Sequence, residues 1–173
     1  MTALTEFRKA KDEFFRSHEQ SPLDAEQRLG FHGLKYYDEN PDLAVVATAE
    51  PFDPPEFVDM QTSTGDSATY LRWARVPFTV DGQQAELTVY RDPASGDLFL
   101  PFQDANAGGE TYGAGRYLDV HDLGGGRLLL DFNYAYNPYC AYNDAWSCPL
   151  PPPENRLRVP IRAGEKTYHD DGV

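Results

Sequence analysis

At 173 residues the chain has the length of one folding unit, and its 28 Asp and Glu against 15 Lys and Arg leave a net charge of −13. A body this negative repels phosphate backbones and anionic bilayers, which argues against nucleic acid or a membrane as partner. No run reaches the roughly 18 apolar residues of a membrane span, and the opening Met1-Thr-Ala-Leu-Thr-Glu-Phe7 lacks the basic start and apolar run of a secretory signal, so the expected compartment is the cytoplasm.

The basic residues are skewed to 11 Arg against 4 Lys, and 17 Asp outnumber 11 Glu. Such a surface suits a cell that balances external salt with internal salt, where a short Debye length relieves self-repulsion; the plainer alternative is an acidic protein kept soluble by its charge. The apolar content is carried by 11 Tyr and 10 Phe, with 14 Pro and 14 Gly beside them. Aromatic residues favour strands, and Pro and Gly favour the turns between them.

Leu4, Phe7, Lys11, Phe14 and Phe15 recur at helical spacing with charged residues opposite, which predicts an amphipathic helix. Ser21-Pro22-Leu23-Asp24 predicts a second, short helix with Ser21 as its cap, ending at Gly30. From residue 43 the period changes to that of strands, expected at 43–49, 57–62, 68–80, 85–90, 97–102, 116–121 and 127–133, with a last one at 157–161. Thr64-Gly65-Asp66 and Asp81-Gly82 read as turns, and Pro77 marks an edge or a bulge. After Asn133 the pattern is aperiodic, and 149–153 is dominated by proline. The expected fold is mainly β (α+β): N-terminal helices (1–30) packed on an antiparallel meander (43–133), closed as a barrel or a sandwich, with an irregular segment (134–166) inside the same single domain.

No nucleophile elbow, phosphate loop, zinc-protease helix or Cys-x-x-Cys motif occurs. His18, His32, His121 and His169 are scattered, and the sequence implies no cofactor. Three stretches remain. Asp104-Ala-Asn-Ala-Gly-Gly-Glu110 spaces oxygens as a cation loop does, and equally as an ordinary turn does. Thr111-Tyr-Gly-Ala-Gly-Arg-Tyr117 offers glycine-freed N–H groups beside the guanidinium of Arg116, a grip for an anion or simply a tight turn with a paired Arg. Asp131-Phe-Asn-Tyr-Ala-Tyr-Asn-Pro-Tyr-Cys-Ala-Tyr-Asn143 combines directed amide and hydroxyl groups with aromatic rings, the mixture of a ligand pocket. It is also what an irregular backbone needs to satisfy its own polar groups. Cys140 and Cys148 could form a disulfide, bind a metal with outside ligands or sit as small buried hydrophobes; reduced, mostly structural thiols are the first expectation, with the redox state left open, and Glu165 and Lys166 are expected to be solvated charges.

Phe99-Leu-Pro-Phe102, Glu110-Thr-Tyr-Gly-Ala-Gly-Arg-Tyr117, the 131–143 run, Cys148-Pro-Leu-Pro-Pro-Pro-Glu-Asn155 and Ala163-Gly-Glu-Lys166 together resemble the bacterial and archaeal domain-of-unknown-function family 1684. The resemblance reaches back through Thr62-Ser-Thr-Gly65 and Ser21-Pro-Leu23. It implies that the motif-rich end and the meander are one unit, and it brings no reaction, cofactor or catalytic residue with it.

The leading expectation is a pocket for a small polar or anionic molecule, formed by Tyr112, Arg116, Asp131, Asn133, Tyr134, Asn137, Tyr142 and Asn143. Were it catalytic, Asp131 or Glu165 would be the base and Tyr112 or Tyr134 the acid. The rivals are a metal-dependent enzyme using Asp104, Glu110, Asp131 or His121, and a non-catalytic structural or interaction module. The sequence leaves the reaction, the ligand and the oligomeric state open.

Overall fold

A computed structural model describes residues 2–168; His169 lies outside them. Helix α1 spans Ala3–Ser17, capped by Thr2, whose side chain accepts the Thr5 N–H. It buries Leu4 and Phe15. Helix α2 spans Ala25–Leu29, and its cap is Asp24 rather than Ser21: Asp24 and Gln27 exchange side-chain and backbone hydrogen bonds as a capping box. Ser21 instead donates to the Phe15 carbonyl and accepts the Leu23 N–H, tying the turn to α1.

The strands are β1 (Ala44–Thr48), β2 (Glu50–Gln61), β3 (Ser67–Val80), β4 (Gln83–Arg91), β5 (Leu98–Phe102), β6 (Arg116–Asp119), β7 (His121–Gly124) and β8 (Arg127–Asp131). They form two antiparallel sheets. One is a five-stranded meander in the order β2-β3-β4-β5-β6, and the other a three-stranded sheet in the order β1-β8-β7. Among the described residues no pairing joins β2 to β6, so the expected closure into a barrel is absent. The sequence-based strand at 116–121 is two strands, β6 and β7, that serve different sheets. The strand expected at 157–161 is also absent. Its backbone is taken up by loop contacts, with Leu157 N–H donating to the Gln103 carbonyl and Ala105 N–H to that of Val159.

The alternation in β3 buries Ala74, Val76, Phe78 and Val80 on one face, after a bulge between Arg72 and Ala74. Pro77 lies past the last β2 pair, Glu50 with Arg75, where its missing N–H costs no ladder bond. At the hairpin, Asp81 and Gly82 have φ of 51° and 77°, the left-handed pair that a two-residue turn requires. Both sheets feed one core: Leu43 and Ala47, Val76 and Phe78, Leu87 and Val89, Leu100 and Phe102, Leu118, Leu128 and Leu130 are buried together. Each large side chain enclosed there contributes on the order of 1.5–3 kcal/mol. A second cluster of Phe15, Leu23, Phe31 and Tyr142 fastens the helices to the irregular segment.

Where β4 and β5 diverge, Asn155 replaces the missing ladder. Its amide accepts the Thr88 N–H and donates to the carbonyls of Thr88 and Pro101. Directly before it, Glu154 accepts from the Tyr90 hydroxyl and from Arg72.

Candidate functional site

The irregular segment and the residues after it hold two different kinds of place. The first is polar and closed. Arg116, at the start of β6, is 1% exposed. Its guanidinium donates to the carbonyls of Ala163 (2.5 Å), Glu165 (3.0 Å) and Ile161 (2.9 Å) and lies 3.7 Å from the Asp104 carboxylate. Asp104 in turn accepts the Ile161 N–H and the Thr111 hydroxyl. The expected anion grip is therefore corrected: the donors of Arg116 staple the 161–165 backbone to β6 and face no solvent. Gly164 makes the close approach possible. Its φ is +80°, and a Cβ there would sit 2.7 Å from the Ala135 carbonyl oxygen.

Glu165, expected to be solvated, is 2% exposed. It accepts the Asn137 N–H (3.1 Å), the Tyr142 hydroxyl (2.5 Å) and the Lys11 ammonium of α1. Burial, then the neighbouring Glu165 charge, pushes the Tyr142 phenol well above its ordinary value. The signal for this hub was Lys11, a cation on the apolar stripe of an amphipathic helix, which points to a buried partner.

Other expected residues are engaged locally. Asp131 caps the turn after β8 by accepting the Asn133 N–H, and Asn133 also exchanges hydrogen bonds with the Asn40 backbone. Tyr134 stacks edge-on against Phe7 of α1. Asn143 accepts the Ala145 N–H. The residues of the metal reading do not converge. Glu110 accepts from Tyr37, His121 is exposed on β7, and among the described residues no three His, Cys, Asp or Glu are grouped to hold an ion.

The second place is aromatic and hollow. A cavity of about 270 Å³ lies among Tyr117, Tyr136, Pro138, Tyr139, Trp146 and Cys148, with Asn137 in its wall. Tyr117 and Tyr136 present rings to it because their hydroxyls donate elsewhere, to the Pro149 carbonyl and to Asp119. Tyr139 and Trp146 meet edge to face at 5.1 Å. Asn137 is 2% exposed, and its Nδ2 donates to the Lys166 carbonyl, which fixes the amide's orientation. Its Oδ1 is buried with no hydrogen-bond partner among the described residues. Tyr112 belongs to this end of the molecule, with its Oη 3.7 Å from Cys140 Sγ. Burial, then its hydrogen bond to Cys140, pushes the Tyr112 phenol up.

The structure thus divides the expected residues. Arg116 and Tyr142 belong to the closed network, Asp131, Asn133, Tyr134 and Asn143 to local turns and packing, and Asn137 and Tyr112 to the aromatic end.

The family model for a "Protein of unknown function (DUF1684)" matches residues 29–166. The chain belongs to the DUF1684 family. A solved structure similar to this DUF1684 chain is the solution NMR structure of an uncharacterized protein of Haloarcula marismortui, 43% identical, with a TM-score of 0.73. That match covers 95% of this chain and 92% of the Haloarcula protein. Comparison with curated proteins gives no match. No helix of this DUF1684 protein, among the described residues, is long and apolar enough to cross a membrane.

Proposed function

We propose that this DUF1684 protein binds a small, mostly apolar molecule carrying an N–H or O–H donor in the cavity walled by Tyr117, Tyr139 and Trp146. The observation that carries the reading is an aromatic hollow with Asn137 in its wall, a residue whose Oδ1 is a buried acceptor with no hydrogen-bond partner among the described residues. An acceptor left in this state costs roughly 1–3 kcal/mol, and a guest's donor would recover it once the Asn137 side chain turns Oδ1 toward the hollow. A hollow of about 270 Å³ exceeds the roughly 150 Å³ that suffices for benzene, so a one- or two-ring compound fits. This reading replaces the anionic ligand expected from sequence, because the guanidinium that would have gripped an anion is occupied by main-chain carbonyls.

The acidic surface fits the same soluble binder in a cell of high internal salt, in keeping with a relative from Haloarcula marismortui. The rival reading, a structural module without a guest, is favoured by the turn and packing roles of Asn133, Tyr142 and Asn143.

Indole, which has one ring system and one N–H donor, is a suitable probe. In an NMR titration its shifts are expected to concentrate on Tyr136, Asn137, Tyr139 and Trp146. Trp146→Ala is expected to weaken binding about tenfold, the loss of one aromatic contact. Shifts scattered over the surface, with no saturation, would leave the structural module as the better reading.

A further inference from the structure

The hollow has a wall of one chemical kind. Of its seven residues four are aromatic, Tyr117, Tyr136, Tyr139 and Trp146, and none is charged. Tyr117 and Tyr136 stand at 88° with centroids 5.8 Å apart, and Tyr139 and Trp146 at 71° and 5.1 Å. Rings set at such angles turn their π faces in several directions onto one enclosed group, and each face is the electron-rich part of the ring quadrupole.

The surroundings have the same sign. The Tyr136 hydroxyl donates to Asp119 Oδ1 at 3.1 Å, Asp144 precedes Trp146 by two residues in the same turn, and the whole chain carries −13. Lys11, outside the wall, shows that one of these rings attracts positive charge: its Nζ lies 5.1 Å from the Tyr136 centroid and is paired with Glu165. Charge therefore favours a cation over an anion in the hollow, and the wall selects among cations. A metal ion wants several oxygen ligands, and a primary ammonium is a compact, strongly hydrated charge; an uncharged aromatic wall replaces the water of neither. A quaternary ammonium has no N–H to satisfy and spreads its charge over methyl groups, so ring faces suffice for it.

We propose that the hollow is a cage for a small quaternary ammonium compound of the choline type. The inference rests on the guest-binding reading above and names the guest's chemical class: the methyl groups are its apolar body, and the hydroxyl is its donor. Choline is little larger than benzene, so a hollow of about 270 Å³ holds it. The trimethylammonium head lies among the ring faces of Tyr117, Tyr136, Tyr139 and Trp146, where each desolvated contact adds to the attraction. A neutral guest of the same shape makes the same apolar contacts without that attraction.

The test titrates the full chain with choline and with its neutral isostere, in which a tert-butyl group replaces trimethylammonium. NMR shifts are expected to map both onto Tyr136, Asn137, Tyr139 and Trp146, with choline bound about tenfold more tightly, the effect of the cation–π contacts. Trp146→Leu, which keeps an apolar side chain, is expected to weaken choline about tenfold and the isostere by less than about threefold. In molar sodium chloride choline binding is expected to stay within about threefold, because contact with ring faces is short-range while attraction to exposed carboxylates is screened. Equal binding of the two molecules, equal losses of both in Trp146→Leu, or disappearance of choline binding in molar salt would overturn the proposal. The wild-type comparison decides the matter even if the variant fails to fold. Indole separates the two readings: saturable indole binding without choline binding overturns the cage and leaves the hollow, whereas failure of both removes the hollow as a binding site.

Discussion

Arg116 and Asn137 are both almost fully enclosed, and both come from stretches that read as binding motifs, yet they are in opposite states. The guanidinium meets three carbonyls and a carboxylate, and nothing remains for a ligand to add. The amide of Asn137, a residue in the wall of the aromatic hollow, has one side fixed by Lys166 and the other without a hydrogen-bond partner among the described residues. The difference teaches how to sort buried polar residues. A saturated one builds the fold, and a partly satisfied one marks where the molecule still has chemistry to offer.

The comparison is broken most directly at Arg116. Arg116→Ala leaves Asp104 and the 161–165 carbonyls without partners, and removing one member of a buried, hydrogen-bonded pair costs about 3–5 kcal/mol. Denaturant unfolding is expected to show a loss of that size. A stable variant would mean that the closed network is dispensable and would reopen Arg116 as a ligand grip. Salt sharpens the same contrast at lower amplitude. The enclosed pairs are shielded from ions, while the exposed carboxylates behind the net charge of −13 are not. Melting temperature is expected to rise by about 2–4 °C from low to molar salt, the shift that 1 kcal/mol produces in a chain of this size. A flat or falling series would end the salt-adapted reading. The smallest stability effect belongs to the hollow: Trp146 is 41% exposed, so Trp146→Ala is expected to change stability by no more than about 0.5 kcal/mol while indole binding drops. Comparable losses of both would make Trp146 a packing residue.

Much of the fold was legible because it rests on local rules. The stripe of Leu4, Phe7, Phe14 and Phe15 gave α1, the alternation from Ala74 to Val80 gave the inner face of β3, and Asp81-Gly82 gave its hairpin. The division of 116–124 between two sheets was not legible, since an apolar strand does not state which neighbour it will have. The strand expected at 157–161 failed for a related reason: its residues are apolar because they cover the core, while its hydrogen bonds go to the loop at 103–105. At the site, residue types were informative and partners were not. Asp131 to Asn143 was recognisable as a polar-aromatic mixture, but whether each amide meets backbone or empty space depends on contacts such as Asn133 with Asn40 and Asn137 with Lys166. The cysteines show the same limit. Cys140 and Cys148 were visible as residues, whereas the Tyr112 hydroxyl beside Cys140 comes from a distant loop.

The clamp on Arg116 has a consequence for the order of events during translation. Its carbonyl partner Ile161 lies 45 residues downstream, so at the roughly 5–20 residues per second of synthesis the cation waits on the order of seconds for its acceptors. Through that interval a dry core around β6 would enclose an orphan charge, and the half-made sheet is expected to remain hydrated and open. Ribosome-stalled chains that end before residue 161 should therefore be cleaved readily by protease, and chains that expose residues 161–165 beyond the exit tunnel should resist it. Early resistance would show that the meander seals without its late-arriving latch.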